Sequence, residues 1–114
     1  MIVTPVNTST ILITEVAGLD PIHAFWINLE PGQGYVTLIC YGCAWTAYFG
    51  GMEGRTIEQF FSEADTDYLV TKLGITQFLK DTKQHRAYLG KIVNAVKAAL
   101  DAGRETPERK ERAA

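Results

Sequence analysis

Apolar residues follow two periods in succession along this chain, alternating positions in the first half and three-and-four spacing in the second. In residues 10–16, Ile11 and Ile13 fall on one face of an extended segment, and Leu12 and Val16 on the other. Residues 17–21 (Ala-Gly-Leu-Asp-Pro) predict a turn, because a residue preceding proline is held out of the helical region. A second strand spans 22–29, with His23, Phe25, Ile27 and Leu29 on one face and Ile22, Ala24, Trp26 and Asn28 on the other. Pro31 and Gly32 suit the two central positions of a type II turn. A loop over 30–34 would set Leu29 opposite Tyr35, Ile27 opposite Thr37, Phe25 opposite Ile39, His23 opposite Tyr41, Trp26 opposite Leu38 and Ala24 opposite Cys40. Residues 35–49 are dominated by β-branched and aromatic side chains and read as strand. Fully extended they would run about 50 Å, too far for so short a chain. The run must turn back, and Gly42, its one residue without a Cβ, is where a turn is expected.

The second period begins after the glycine-rich stretch 50–55. Thr56 and Gln59 have the spacing of a capping box, predicting a helix to about residue 63. Asp65 is placed to cap a second helix reaching Leu73, with Gly74 closing it. Residues 75–80 are expected to connect onward and to bury Phe78 and Leu79. From 82 to 102, Tyr88, Leu89, Ile92, Val93, Val96, Ala99 and Leu100 fill one arc of a long helix ended by Gly103. Strands precede helices without alternation. The fold class is therefore α+β, an antiparallel three- to four-stranded sheet followed by two short helices and one long C-terminal helix. The domain is expected to span 1–103. Residues 104–114, of mixed charge and without an apolar anchor, read as a disordered or frayed tail.

Composition narrows the function class. At 114 residues, 46% hydrophobic and 21% charged, the chain has the balance of one soluble domain. A net charge of -2 argues against non-specific binding to nucleic acid or anionic membranes. No apolar run approaches the roughly 18 residues of a membrane span, and the first residues lack the positive start of a signal peptide. A cytoplasmic protein is expected.

The candidate chemistry is sparse. Cys40 and Cys43 form a C-x-x-C, but within strand-like sequence rather than at a helix start, where such a pair becomes redox-active. Three residues apart in an extended strand, their Cα atoms would stand about 10 Å from each other, whereas a disulfide needs less than about 7 Å. Only a tight turn at Tyr41-Gly42 would bring them together, so buried structural thiols are expected. His23, Cys40, Cys43 and His85 are zinc-ligand types, yet their spacing fits no finger and His23 and Cys40 point to opposite faces of an undistorted hairpin. No cofactor is expected. His85 projects into the apolar arc and reads as half-buried and bonded to a main-chain group, with no nucleophile tied to it. Residues 49–56 bring glycines to a helix start but carry Phe49 where a phosphate loop has its first Gly and Arg55 in place of its Lys, so an incidental loop is expected.

Surface contact is the remaining avenue. Residues 53–67 are acidic, including Glu58 and Asp65, and 72–97 are basic, including Lys83, Arg86 and Lys97. They read as solvated helix faces or as complementarity to a partner or a second copy. An aromatic platform for single strands needs a basic groove, and no Lys or Arg occurs between Ile11 and Phe49. A nucleic-acid module using the C-terminal helix, and a Cys/His metal or thiol protein, are the alternatives to a contact protein. Both faces of the 22–42 hairpin are apolar, while helices can cover only one. A homodimer through the sheet, or a groove for a partner, is therefore expected. The contact residues assigned are Trp26, Trp45, Tyr48 and Phe49 with Glu58, Asp65, Lys83, Arg86 and Lys97.

Residues 32–52 (Gly-Gln-Gly-Tyr-Val-Thr-Leu-Ile-Cys-Tyr-Gly-Cys-Ala-Trp-Thr-Ala-Tyr-Phe-Gly-Gly-Met), 56–61 (Thr-Ile-Glu-Gln-Phe-Phe) and 65–69 (Asp-Thr-Asp-Tyr-Leu) carry a resemblance. They are similar to a group of small proteins encoded by bacteriophages and prophages. The resemblance brings no catalytic residues. It implies a cytosolic accessory protein, of a kind that often binds and blocks host proteins, defence systems included.

Overall fold

The strands of this chain are parted by turns that enter the left-handed backbone region. Glu15 (φ 62°) and Gly18 (φ 78°) follow the first strand, Gly32 (φ 84°) the second, and Tyr41 (φ 52°) and Gly42 (φ 72°) the third. The structure, a computed structural model, describes residues 1–6, 8–74 and 82–105, with side chains as far as 102. The strands are β1 (Ser9–Ile13), β2 (Ile22–Glu30), β3 (Gln33–Cys40) and β4 (Cys43–Phe49), followed by helices α1 (Ile57–Glu63), α2 (Thr66–Gly74) and α3 (Lys83–Glu105). The sheet is an antiparallel meander in the order β1-β2-β3-β4. The α+β architecture of the sequence reading is therefore the one observed.

Two turns set the registers. Pro31 and Gly32 occupy the turn between β2 and β3, as their types demand. The loop is tighter than five residues, however: Glu30 already pairs with Gln33, and a bulge follows between Asn28 and Glu30. Ile27 consequently faces Tyr35, Phe25 faces Thr37, His23 faces Ile39, Trp26 faces Val36 and Ala24 faces Leu38. Each pair is two residues away from the expected one. An offset of two keeps every side chain on its expected face, since the pleat repeats every second residue. The 35–49 run turns at Tyr41-Gly42, so Cys40 pairs with Cys43 and Leu38 with Trp45.

One face of the sheet is buried. Ile22, Ala24 and Trp26 of β2 alternate inward, as do Val36, Leu38 and Cys40 of β3 and Trp45, Ala47 and Phe49 of β4. Helices supply the opposing surface through Ile57 and Phe61 of α1, Leu69, Val70 and Leu73 of α2, and Leu89, Ile92, Val93, Val96 and Leu100 of α3. Trp45 is the largest of the fully buried side chains in this layer.

The helices begin where capping chemistry predicts. Thr56 accepts from the Gln59 amide while the Gln59 side chain accepts from the Thr56 amide, completing the capping box. The Asp65 carbonyl takes the Leu69 amide at the start of α2. Thr82 opens α3, its hydroxyl accepting from the His85 amide and its carbonyl from that of Arg86. Gly103 does not stop α3, whose backbone continues to Glu105. The expected burial of Phe78 and Leu79, and the tail beyond 105, lie outside the described residues.

Gly34 is where helix and sheet approach most closely. A Cβ there would stand 2.6 Å from the Ile27 carbonyl oxygen and 2.6 Å from Cγ1 of Ile57. The missing side chain lets α1 seat Ile57 directly on the strand. Gly34→Ala should cost about 1–3 kcal/mol by overpacking, read as a lowered urea midpoint at unchanged slope. Gly51→Ala, with nothing within 4 Å of the added atom, should leave the midpoint nearly unmoved.

Candidate functional site

Opposite the helices, the sheet presents a second face that the described residues leave uncovered. Its members follow from the period of two. β1 contributes Leu12, at 57% exposure, and β2 contributes His23, Phe25 and Ile27 with Leu29 at its end. From β3 come Tyr35, Thr37 and Ile39, and from β4 Ala44, Thr46 and Tyr48. None of these residues carries a fixed charge; Glu30, opposite Gln33 beside the turn, puts a carboxylate at the edge of the face. Tyr35 and Tyr48 pair across the strands with ring centroids 5.2 Å apart, and each is 45% exposed. Beside them Thr37 donates its hydroxyl to Thr46 at 3.1 Å, and His23 stacks on Phe25. The Tyr35–Tyr48 and Thr37–Thr46 contacts are cross-strand pairs of the kind that stabilise a sheet.

The residues assigned to partner contact divide sharply. Tyr48 lies on this open face. Trp26, Trp45 and Phe49 do not: they point under the helices and are buried. The reading that favoured them for contact is corrected by strand parity, since helices cover the even-numbered positions of β2 and the odd-numbered positions of β4. Phe49 instead packs on Phe60 and lies beneath the Lys72 ammonium. The charged residues are largely engaged within the chain. Glu58 accepts from Asn28, whose own side-chain oxygen takes the Ile57 amide at the start of α1. Arg86 donates to Asp67 at 2.7 Å and to Thr71 at 3.1 Å, joining α3 to α2. Lys97 donates to the Ala64 carbonyl at the end of α1, where a cation opposes the helix dipole. Asp65 and Lys83 remain exposed.

The 49–56 loop keeps its polar groups for itself. Arg55 donates through Nε to the Met52 carbonyl and through a terminal nitrogen to Glu63 at 3.0 Å. With the amides of Ile57 and Gln59 also taken by side chains, the start of α1 serves folding.

A second cluster gathers where the β3–β4 turn meets α3. Cys40 is buried, Cys43 half-buried, and both are free thiols. Tyr88 donates its hydroxyl to the Cys40 sulfur at 3.5 Å, and the Cys40 thiol donates to the Asp20 carbonyl at 3.5 Å. His85 is half-buried, as its place in the arc implied, but its partner is a side chain rather than main chain: Nε2 accepts from the Trp45 indole at 3.4 Å. The four zinc-ligand types are not brought together, because His23 faces outward from the sheet and Cys40 inward. Among the described residues no three His, Cys, Asp or Glu are grouped to hold a metal ion. What sequence reasoning missed here is Tyr88, read only as part of the apolar arc. Its hydroxyl reaches a sulfur 48 residues away in the chain, a contact that no local pattern encodes.

Residues 1–81 match a family model, Phage_phiTE_072, described as a phage family. The match takes in the whole sheet, α1 and α2, and stops before α3. No curated protein and no solved structure matches the chain. No helix among the described residues is long and apolar enough to cross a membrane.

The Tyr88 phenol is pushed up to about 12 from 10.0, first by its hydrogen bond to Cys40 and then by burial. The fold favours the neutral phenol, so the resulting stability is fully present below about pH 10 and lost as pH rises through about 12. Urea unfolding of the native chain and of Tyr88→Phe, compared from pH 9 to 12, should show a stability difference that shrinks with rising pH. A pH-independent difference would contradict the assigned contact.

Proposed function

The chain belongs to the Phage_phiTE_072 phage family, and on that premise we propose that it is a non-enzymatic accessory protein that holds another protein against the open face of its sheet. The observation that carries this reading is the face itself: aromatic, aliphatic and hydroxyl-bearing residues across four strands, with a fixed charge only at its turn edge, on Glu30. Contiguous apolar surface of this kind is uncommon on proteins that act alone and marks contact surfaces. Uncharged, aromatic-rich surface is also the composition of interface centres. The partner is a protein of the infected host cell, met in its cytoplasm, and a component of host defence is the class that a phage accessory protein has most reason to occupy.

A second copy of the chain is the competing occupant, because a face whose one carboxylate, Glu30, lies at its edge can meet itself with little like-charge repulsion. The nucleic-acid reading has less support. Of the cations it would use, Arg86 and Lys97 are occupied within the chain.

Tyr35→Glu and Leu12→Glu each place a carboxylate on the exposed face without touching the core. Burying that unpaired charge in a contact should cost about 2 kcal/mol or more, close to 30-fold in affinity, with the thermal midpoint unchanged in Leu12→Glu and only slightly lowered in Tyr35→Glu by loss of the Tyr35–Tyr48 pair. Capture from infected-cell lysate, run beside sedimentation of the same proteins, separates the readings. A host protein lost from both variants supports the proposal, and a native dimer that both variants dissociate supports the second copy. Capture and sedimentation indifferent to both substitutions would rule out the face as the working surface.

A further inference from the structure

The turn joining β3 to β4 carries chemistry that protein contact leaves unused. Tyr41 (φ 52°) and Gly42 (φ 72°) both lie in the left-handed region, the signature of a two-residue type I′ hairpin turn. Cys40 and Cys43 are the pair that closes it. Residues directly opposite in antiparallel strands have Cα atoms about 4.5–5.5 Å apart, inside the roughly 4.4–6.8 Å window of a disulfide. Their side chains also leave the sheet on the same face. The separation expected of an extended strand, which set the two thiols apart, does not apply across this turn.

The two sulfurs differ in access and in partners. Cys40 is buried at 1% exposure, while Cys43 is half-buried. The Cys40 sulfur is oriented from two sides, by the Tyr88 hydroxyl that donates to it and by the Asp20 carbonyl that accepts from it. A half-buried thiol beside a fully buried, hydrogen-bonded one makes the more accessible sulfur the attacking cysteine and the shielded one the resolving cysteine.

We propose that Cys40 and Cys43 form a redox-active dithiol that closes a disulfide across the hairpin turn by exchange with a small-molecule disulfide of the glutathione class. The Cys43 thiolate attacks one sulfur of that molecule, forming a mixed disulfide and expelling a thiolate that takes up a proton. Cys40 then gives its proton to solvent and attacks the Cys43 sulfur. The Cys40–Cys43 bond forms, the mixed disulfide breaks, and a second thiolate leaves and is protonated. Two protein thiols lose two electrons in all, and one small disulfide becomes two small thiols. Tyr88 favours the second step by donating to the Cys40 sulfur as its charge develops, and its own proton is held well into the alkaline range. Cys40 and Cys43 are already direct cross-strand partners, so closure joins two residues the sheet has paired. The inference stands apart from the identity of any protein docked on the outer face.

The full chain, equilibrated in buffers of reduced and oxidised glutathione, acid-quenched and alkylated, reports the chemistry by intact mass. The native protein should convert to a species about 2 Da lighter than the dithiol, without a lasting glutathione adduct. Cys40→Ser should accumulate the adduct at Cys43, and Cys43→Ser should stay unmodified because Cys40 is shielded. Cys40→Ala serves the same purpose should the serine variant not fold. The equilibrium constant for closure should be about tenfold higher in the native chain than in the same chain unfolded in urea, as expected when a fold pre-aligns a short loop. A native constant equal to or below the unfolded one overturns the proposal. So does a Cys40→Ser or Cys40→Ala protein that folds and takes up no glutathione.

Discussion

A four-stranded meander has two faces and this chain has one layer of helices. That mismatch governs the structure. All three helices follow the last strand in sequence, so they fold back together onto whichever face lets their apolar arcs meet the larger side chains. Trp26, Trp45 and Phe49 point to that face, and with Leu38, Phe61 and Ile92 they make a continuous core. The other face is left with Leu12, Phe25, Ile27 and Ile39 among hydroxyl-bearing residues, together with Tyr35 and Tyr48, whose hydroxyls can remain in water. The core and the candidate working surface are therefore two outcomes of one choice of face.

Electrostatics follow the same division. Among the described residues most charge lies in the helices and the loops leading into them, and much of it is engaged within that layer or against the sheet: the Arg86–Asp67 and Arg55–Glu63 ion pairs, Lys97 at the end of α1, and Glu58 on Asn28. Exposed ion pairs of this kind contribute little stability each. Their structural role is to fix how the helices lie. The sheet's outer face has a different make-up: among the described residues its one fixed charge is Glu30, at the edge beside the β2–β3 turn.

Glycines act here through what they admit. Gly34 admits Ile57 and so seats α1. Gly42 accepts a positive φ, drags Tyr41 into the same region, and thereby turns one long apolar run into two strands. The second of these has the larger chemical consequence, because it sets two cysteines opposite each other with Tyr88 and Asp20 around one of them.

Much of this was legible along the chain, because strand parity, capping boxes and helical arcs are local. The alternation in 22–29 and 35–49 determined which residues share a face. Thr56 and Gln59 determined where α1 begins, Pro31-Gly32 where β2 turns, and Gly42 where the long run divides. Register was less accessible: a loop shorter by a few residues and a bulge near Leu29 moved every β2–β3 pair by two, and only backbone geometry decides loop closure. Which face the helices would cover was not readable at all, since both faces are apolar and parity treats them alike. That choice rests on packing three helices against Trp26 and Trp45 at once, a property of the assembled volume. It placed three of the four aromatics assigned to a partner inside the core instead. The Tyr88–Cys40 and His85–Trp45 contacts belong to the same class. They join residues 40 or more positions apart, and such pairs meet only after the sheet and α3 have docked.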